Sequence, residues 1–271
     1  MRVFSSLQLL ATVDPSGLGK FDAHSLTDQS LFELLISSFE EKSLFLSDAD
    51  GECKPITEIG VLVVDESEHI TSIDIFMEKL GGTLDMRYLP PHLRRIDFYK
   101  SGLHGSCELQ YLPKNVYFAR FSVQAISGSV DLTALPGRVR ILDISENFMD
   151  GTLDFSSLPD SLQVLFLYKN NFSGSLDLRP VEKPIAVRES AGAWIPRMWR
   201  DEIVPALEGT LILNHFRNKF EGDILVSDIN RVETKDTYSS ENIQDLCRMI
   251  DTKGETRELK SPPVAHCWLI E

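Results

Sequence analysis

Apolar and polar positions along the middle of the chain recur with a period of 23 residues. Five glycines have this spacing, and a Leu-Pro step follows the first four of them at a constant distance. A fixed period of about 20 to 50 residues is the sequence signature of a solenoid. We therefore predict one structural unit per period, with the glycines stacked in register on successive turns. The glycines are Gly82, Gly105, Gly128, Gly151 and Gly174, and the prolines are Pro90, Pro113, Pro136 and Pro159.

Each unit has an L-x-x-L-x-L-x-x-N-x-L arrangement ahead of its glycine. Its clearest copy contains Leu162, Leu165, Leu167, Asn170 and Phe172. The L-x-L step predicts a short strand, because a strand directs alternate side chains to opposite faces. The asparagine is expected to point inward and bond the backbone of the next turn, since unpaired buried amides are costly. Earlier copies start at Ile70, Leu93, Val116 and Val139, with Glu78, Ser101 and Gln124 replacing the asparagine in the first three.

This arrangement resembles the leucine-rich repeat, and the G-x-L-D-L-x-x-L-P tail is similar to plant-type and protist members of that family. The resemblance implies an α/β fold, namely a right-handed solenoid with a parallel concave sheet and a helical N-terminal cap. A sixth copy contains Leu213, Asn218 and Gly222. Gly222 lies 48 residues after Gly174, so we expect an insertion between the two copies.

The pattern divides the chain into five regions. A helix is predicted at about 27–42, because Leu31, Leu34, Leu35 and Phe39 share one helical face and Thr27 or Ser25 can cap it. Terminal units of a solenoid must differ from the others, since they close an apolar end. The predicted regions are an N-terminal cap at 1–69, repeats one to five at 70–178, an insertion loop at 179–208, repeat six at 209–226, and a C-terminal cap or tail at 227–271.

Positions that flank the inward leucines are expected to face solvent on the concave side. Equivalent side chains in neighbouring turns lie about 5 Å apart, so these positions form rows. A large exposed apolar patch is typical of a binding surface, although an insertion or tail of the same chain would also cover it. Trp194 and Trp199 in the insertion either contact a partner or pack over the flank. The predicted partner-binding residues are Phe76, Tyr99, Phe118, Arg120, Ile141, Asp143, Val164, Phe166, Tyr168, Ile212, Phe216, Trp194 and Trp199.

Composition and motifs argue against several classes of function. The 271 residues contain 27 Lys and Arg against 41 Asp and Glu, a formal charge of −14 that argues against nucleic-acid binding. No apolar run reaches the roughly 20 residues of a membrane span. No catalytic motif occurs, and Asp48–Gly51 lacks the first and last ligands of a calcium loop, so no enzyme activity, metal or cofactor is predicted.

The sequence therefore predicts a non-enzymatic scaffold that binds a protein partner. Two alternatives remain, a secreted or cell-surface adhesion protein and a structural subunit of a larger assembly. The resemblance places a cysteine at position 63, where Val63 leaves Cys53 without a disulfide partner, and this favours a cytoplasmic location. A weak signal peptide at 1–13 and a bridge between Cys247 and Cys267 would instead fit secretion.

Two further features have a structural and a functional interpretation. An acid stands three residues after each glycine, and it either caps the following turn or faces a basic partner or cation. We favour capping. His215 occupies an inward leucine position and is expected to be a hydrogen-bonded core histidine. The acids are Asp85, Glu108, Asp131, Asp154 and Asp177.

Overall fold

The repeating unit forms one turn of a β-solenoid in the computed structural model, which describes residues 26–47, 51–187, 209–234 and 248–258. Within these residues one α-helix, α1, spans Asp28–Ser37. In chain order the strands are β1 Leu62–Val64, β2 Ile70–Phe76, β3 Arg95–Tyr99, β4 His104–Gly105, β5 Phe118–Arg120, β6 Ala125–Gly128, β7 Ile141–Asp143, β8 Phe148–Gly151, β9 Val164–Phe166, β10 Asn171–Gly174, β11 Ile185–Val187, β12 Leu211–Asn214, β13 Lys219–Phe220, β14 Ile224–Val226, β15 Val232–Thr234, β16 Arg248–Asp251 and β17 Thr256–Glu258.

The strands that carry the L-x-L step form a nine-stranded sheet in the order β1-β2-β3-β5-β7-β9-β12-β11-β15. Only β1 is antiparallel to its neighbour. From β2 to β9 each residue pairs with the one 23 positions later, as Ile96 does with Ala119 and Leu142 with Leu165. These inward side chains are fully buried in one apolar core that continues along the solenoid. The predicted period is therefore the hydrogen-bonding register of this sheet.

A second sheet, which the sequence pattern did not indicate, lies just before and at the ladder glycines. Its order is β13-β10-β8-β6-β4. Here the pairing offset between successive repeats is 21 residues, so Gly105 is opposite Ile126 rather than Gly128. The glycines do occupy successive turns, but the prediction that they stack in register is wrong. The second row of strands is shifted by two residues per turn relative to the first.

Glycine is required at these positions by backbone conformation. All five ladder glycines, and Gly222 after them, have positive φ angles between 79° and 111°. Non-glycine residues rarely adopt such angles. At Gly82 a side chain would also clash with the carbonyl oxygen of Ser38. The glycine ladder therefore sets where each turn leaves the second sheet.

The predicted inward amide ladder forms in four repeats, but its bonds reach the backbone of the same and the preceding turn and not that of the next turn. Asn147 donates to the carbonyl oxygens of Phe121 and Ile144 and accepts from the backbone N–H of Ile126. Asn170 and Asn218 make equivalent bonds, and Gln124 replaces asparagine with the same function. Ser101 donates only to carbonyl oxygens, and the Glu78 side chain is exposed. The buried backbone of each turn is thus bonded by a side chain of the same or the next repeat.

The segments opposite the nine-stranded sheet are short 3-10 turns at Met86–Tyr88, Leu109–Tyr111 and Leu132–Ala134. The expected α/β class is therefore corrected to a β-solenoid with few helices.

The Asp131 carboxylate accepts from the backbone N–H of Thr133 at 2.9 Å, and Asp85, Asp154 and Asp177 make the same bond two residues ahead. The capping interpretation of the acid ladder is confirmed at these four positions, whereas Glu108 makes no such bond.

Helix α1 begins where the sequence predicts and ends five residues earlier than predicted. Thr27 caps it by accepting from the backbone N–H of Ser30 at 3.2 Å. After Ser37 the backbone instead pairs with the first repeat, where the N–H of Glu41 donates to the carbonyl oxygen of Leu80. The Asp28 carboxylate accepts from the backbone N–H of Ile70, which attaches the helix to the start of β2.

The predicted insertion begins too early. Residues 185–187 form β11, which pairs with β12 on one side and β15 on the other. Ile185 and Val187 are buried in the common core, so this segment belongs to the stack although it lacks leucine. Strand β12 lies between β9 and β11, so the order along the sheet differs from the order along the chain. The rest of the predicted insertion, with Trp194 and Trp199, lies outside the described residues.

His215 lies in the core after β12, but its hydrogen bonding differs from the prediction. Its Nε2 atom is buried and has no hydrogen-bond partner in the part of the chain that the structure describes. The ring stacks on Phe216 at 4.6 Å and meets Phe220 edge-on. Burial lowers the pKa of His215 from 6.5 to about 4, because the charged imidazolium cannot be solvated there.

Replacing Asp131 by alanine should lower the free energy of unfolding by about 1 kcal/mol, because the cap bond to Thr133 is lost. Asp131→Asn keeps an acceptor and should cost less than half of that. Urea denaturation of both variants is the measurement. Glu108→Ala is the matched control, since Glu108 has the same repeat position without the cap bond. Equal losses in Asp131→Asn and Asp131→Ala would contradict the capping role.

Stability should fall as the pH decreases from 6.5 to about 4, with a contribution from His215 of up to about 1.4 kcal/mol per pH unit. The unfolded state takes up a proton on this imidazole in that range, whereas the folded state does not. His215→Leu should remove this contribution and raise stability most at the low end. The measurement is thermal unfolding across the range, with exposed His104→Ala as the control. A pH dependence unchanged by His215→Leu would contradict the assignment.

Candidate functional site

The outer face of the nine-stranded sheet displays the predicted rows side by side. Phe118, Ile141, Val164 and Ile212 are consecutive partners in the strand register. The next row is formed by Asp74, Asp97, Arg120, Asp143, Phe166 and Asn214, which also pair consecutively. Phe76 and Tyr99 pair in the row beyond. The sequence pattern therefore identified correctly which side chains are neighbours across strands.

The expected exposure of the apolar row is wrong. Phe118, Ile141, Val164 and Phe166 are all at most 5% exposed and form a second apolar cluster. Tyr117, Tyr168 and Ile212 pack against this cluster. The guanidinium of Arg95 lies over the Phe118 ring, 3.9 Å from its centre. The cluster is thus a second, smaller core on the outer side of the sheet, and it is not an open patch.

A buried ionic network adjoins this cluster. Arg120 bonds both carboxylate oxygens of Asp97, and both side chains are 4% exposed. Arg95 joins Asp97 to Asp74, at 2.9 and 2.7 Å. Burial raises the pKa of the Asp97 carboxyl, and the bonds from Arg120 oppose this shift. These charges stabilise one another where equivalent strand positions would otherwise bring like charges together.

Asp143 continues the row as a buried carboxylate that is bonded by hydroxyl groups. It accepts from the Ser122 hydroxyl at 2.9 Å and from both the hydroxyl and the backbone N–H of Ser145. Burial raises the pKa of Asp143, and these hydrogen bonds oppose the shift. The arrangement satisfies the carboxylate internally, which fits a structural role.

Beyond Asp143, a polar group of three side chains lies at the carboxyl-terminal ends of β7 and β9. Glu146 accepts from the Tyr168 hydroxyl at 2.8 Å and from the Lys169 ammonium at 2.7 Å. Burial acts to raise the pKa of Glu146, but the bonds from Lys169 and Tyr168 outweigh it and the pKa is lowered. Burial and the neighbouring Glu146 raise the pKa of the Tyr168 hydroxyl.

The accessible part of this face lies on β2 and β3, the first parallel strands of the sheet in chain order. Phe76 is 40% exposed and stacks on Tyr99 with ring centres 4.9 Å apart. The buried guanidinium of Arg120 lies 4.8 Å from the centre of the Tyr99 ring and fixes it from below. Met77, which follows β2, is 51% exposed. An exposed aromatic ring held by a buried charge is therefore available at this end of the sheet.

The described residues contain no group of three or more histidine, cysteine or acidic side chains that could hold a metal ion. No described helix is long and apolar enough to cross a membrane. Cys53 and Cys107 are free thiols, and burial raises the pKa of Cys53 to about 11 and that of Cys107 to about 12. Cys247 and Cys267 lie outside the described residues.

Comparisons with known proteins give structural likenesses only. No family model and no curated protein matches the chain. A plant ice-binding protein is 22% identical with a TM-score of 0.47, over 59% of this chain and 57% of that protein's chain. The BIR3–SERK2 complex from Arabidopsis thaliana is 19% identical with a TM-score of 0.46, over 55% of this chain and 85% of that one.

The leucine-rich-repeat ectodomain of the Arabidopsis receptor kinase GASSHO1/SCHENGEN3 is 13% identical with a TM-score of 0.48, over 84% of this chain and 31% of that one. All three TM-scores are below 0.5. The repeat register and the buried ladders by themselves show a leucine-rich-repeat-like β-solenoid fold.

Asp97→Asn should lower the free energy of unfolding by about 3–5 kcal/mol, because it leaves the buried Arg120 without a charged partner. Asp74→Asn is the matched control: it removes a half-exposed carboxylate from the same network and should cost no more than about 1 kcal/mol. Urea denaturation measures both values. Similar losses in the two variants would contradict the buried pair at Asp97.

Proposed function

We propose that this chain is a non-enzymatic scaffold that binds a protein partner through the outer, concave face of its nine-stranded sheet. The observation that carries the proposal is the exposed Phe76 ring, stacked on Tyr99 and fixed through Arg120. Rigid aromatic side chains that lose little conformational freedom on binding dominate the energetics of protein interfaces. A catalytic role has no support from the chemistry of the described side chains.

The buried cluster has a supporting role in this proposal. Phe118, Ile141, Val164 and Phe166 hold the sheet face rigid, and Arg120 and Asp143 hold the polar row beside it. The partly exposed side chains at the other end are Tyr168, Ile212 and Phe216, and they form a second contact region. A partner that follows the sheet would meet Phe76 and Tyr99 at one end and these residues at the other. We assign no contact to Trp194 and Trp199, which stay predictions.

The proposal includes a right-handed coil, which is the hand of nearly all parallel strand-crossover-strand connections. It also includes capping of the first turn by α1, supported by burial of Phe32, Leu35 and Ile36 in the common core.

The free thiols of Cys53 and Cys107 fit a reducing compartment, and on that basis we propose a cytoplasmic location. Secretion or a role as an assembly subunit remain the alternatives, and intact-mass measurement of the native protein tests secretion.

Phe76→Ala should weaken partner binding by about tenfold or more, because it removes the exposed aromatic anchor. Phe148→Ala is the matched control, since it also removes one exposed phenylalanine ring. Phe148 is 60% exposed and lies on the second sheet, outside the proposed binding face. Partners are first identified by proximity labelling with the wild-type chain, and the affinity of each purified partner is then measured for the wild type and both variants. Thermal unfolding confirms that both variants remain folded.

Unchanged affinity of every partner for Phe76→Ala would overturn the proposed binding face. An equal loss in Phe148→Ala would also overturn it, because the second sheet would then be the contact surface. Loss in Phe76→Ala alone supports the proposal.

A further inference from the structure

An open cleft of about 680 Å³ lies at the N-terminal ends of strands β3, β5 and β7. This is the size of cavities that hold small ligands or part of a peptide. None of its described lining residues is acidic, although the whole chain has a formal charge of −14. The described lining residues are Arg94, Asn115, Tyr117, Gly137, Arg138, Arg140 and Ser161.

The repeat itself positions the cationic side chains. Arg94, Tyr117 and Arg140 occupy the same place in three successive repeats, directly before β3, β5 and β7. The N–H of Tyr117 donates to the carbonyl oxygen of Arg94, and the N–H of Arg140 donates to that of Tyr117, at 2.9 and 2.8 Å. The two arginines are therefore two strand spacings apart, or about 10 Å, with an aromatic ring between them. Arg138 stands two residues before Arg140 and lines the same cleft.

These three arginines differ from all others that the structure describes. Arg94, Arg138 and Arg140 are exposed, and no hydrogen bond, ion pair or ring contact joins their guanidinium groups to another described residue. Every other described arginine has a partner: Arg87 bonds Asp85, Arg95 bonds Asp74, Arg120 bonds Asp97, Arg179 bonds Asp177, Arg248 bonds Asp223, Arg231 and Arg257 bond backbone carbonyls, and Arg217 interacts with Glu146. The unpaired guanidinium groups are thus concentrated in one cleft.

We propose that this cleft binds an anionic peptide segment, with Arg94, Arg138 and Arg140 bonding its oxyanions and Tyr117 packing against its backbone or side chains. A guanidinium presents a planar set of donors that matches the oxygens of a carboxylate or a phosphate. The anionic groups are therefore either glutamate and aspartate carboxylates or phosphorylated side chains. The Asn115 amide supplies an additional donor at the cleft wall, whereas the Ser161 hydroxyl already donates to the carbonyl oxygens of Gly137 and Val139.

A short peptide fits the charge distribution better than a nucleic acid does. Arg94 and Arg140 stand about 10 Å apart along the cleft, and with Arg138 they match two or three anionic groups. A polynucleotide would carry its phosphates beyond the cleft and over a chain whose acidic residues outnumber its basic ones by 41 to 27. This site does not include Phe76 or Tyr99, so the arginine variants and Phe76→Ala test the two sites separately, although Tyr117 also packs against the apolar cluster of the sheet face.

Fluorescence anisotropy with labelled peptides tests the proposal on the full chain. Three peptides share one sequence and differ at two or three positions that are serine, phosphoserine or glutamate. We expect the phosphoserine peptide, the glutamate peptide or both to bind more tightly than the serine peptide. The Arg138→Gln/Arg140→Gln variant should weaken that binding by about tenfold or more, and Arg94→Gln should weaken it less. Binding by only one anionic peptide supports the proposal and identifies the source of the charge.

The matched control is Arg87→Gln/Arg179→Gln, which removes two exposed arginines that are already paired with acids outside the cleft. Equal weakening in this variant would overturn the site, because a general charge effect would then explain the loss. Failure of both anionic peptides to bind more tightly than the serine peptide would also overturn it. Tighter binding of a single-stranded RNA than of either peptide, lost with the same two arginines, would replace the peptide by a nucleic acid.

Discussion

The whole structure depends on one constraint: a single 23-residue unit cannot bury its own apolar side. Ile96, Ala119, Leu142 and Leu165 are buried because each lies against its equivalent in the next turn, at the spacing of paired strands. The same stacking pairs the backbone of each strand with that of the next turn. Asn147, Asn170 and Gln124 then bond groups that no strand pairing reaches. Apolar burial and amide bonding therefore repeat with the same period.

This spacing also governs the outer face, where it has a different consequence. Stacking equivalent positions brings Asp97, Arg120 and Asp143 side by side, and charges so close must be matched in sign or hydrogen-bonded. Arg120 bonds Asp97, while Ser122 and Ser145 bond Asp143. Once the charges are satisfied in this way, the face can be buried, and its most exposed aromatic side chain is Phe76 on β2.

At the N-terminal ends of β3, β5 and β7, by contrast, the charged side chains are not paired with opposite charges. There, Arg94, Tyr117 and Arg140 also stack by the repeat, but no carboxylate of a neighbouring repeat is opposite the arginines. One periodic scaffold thus produces three different surfaces: an internally neutralised face, an exposed aromatic end and a cationic cleft. The difference among them arises from the residues at three positions of the same repeat.

The sequence by itself determined the period, the inward side chains and the rows across strands, because strand alternation and a constant repeat length fix which residues are neighbours. It also located the amide ladder, because that position recurs in every repeat, and the acid caps, because each cap bond reaches only two residues ahead. Only the tertiary structure decided the two-residue shift of the second sheet, where the pairing offset is 21 residues and not 23. It also decided the position of β12 between β9 and β11, where strand pairing does not follow chain order. Burial of Phe118 and Val164 and the unpaired state of Arg94, Arg138 and Arg140 depended on it as well. Such properties are set by which side chains of other repeats come close in space, and a one-dimensional pattern contains no record of those distances.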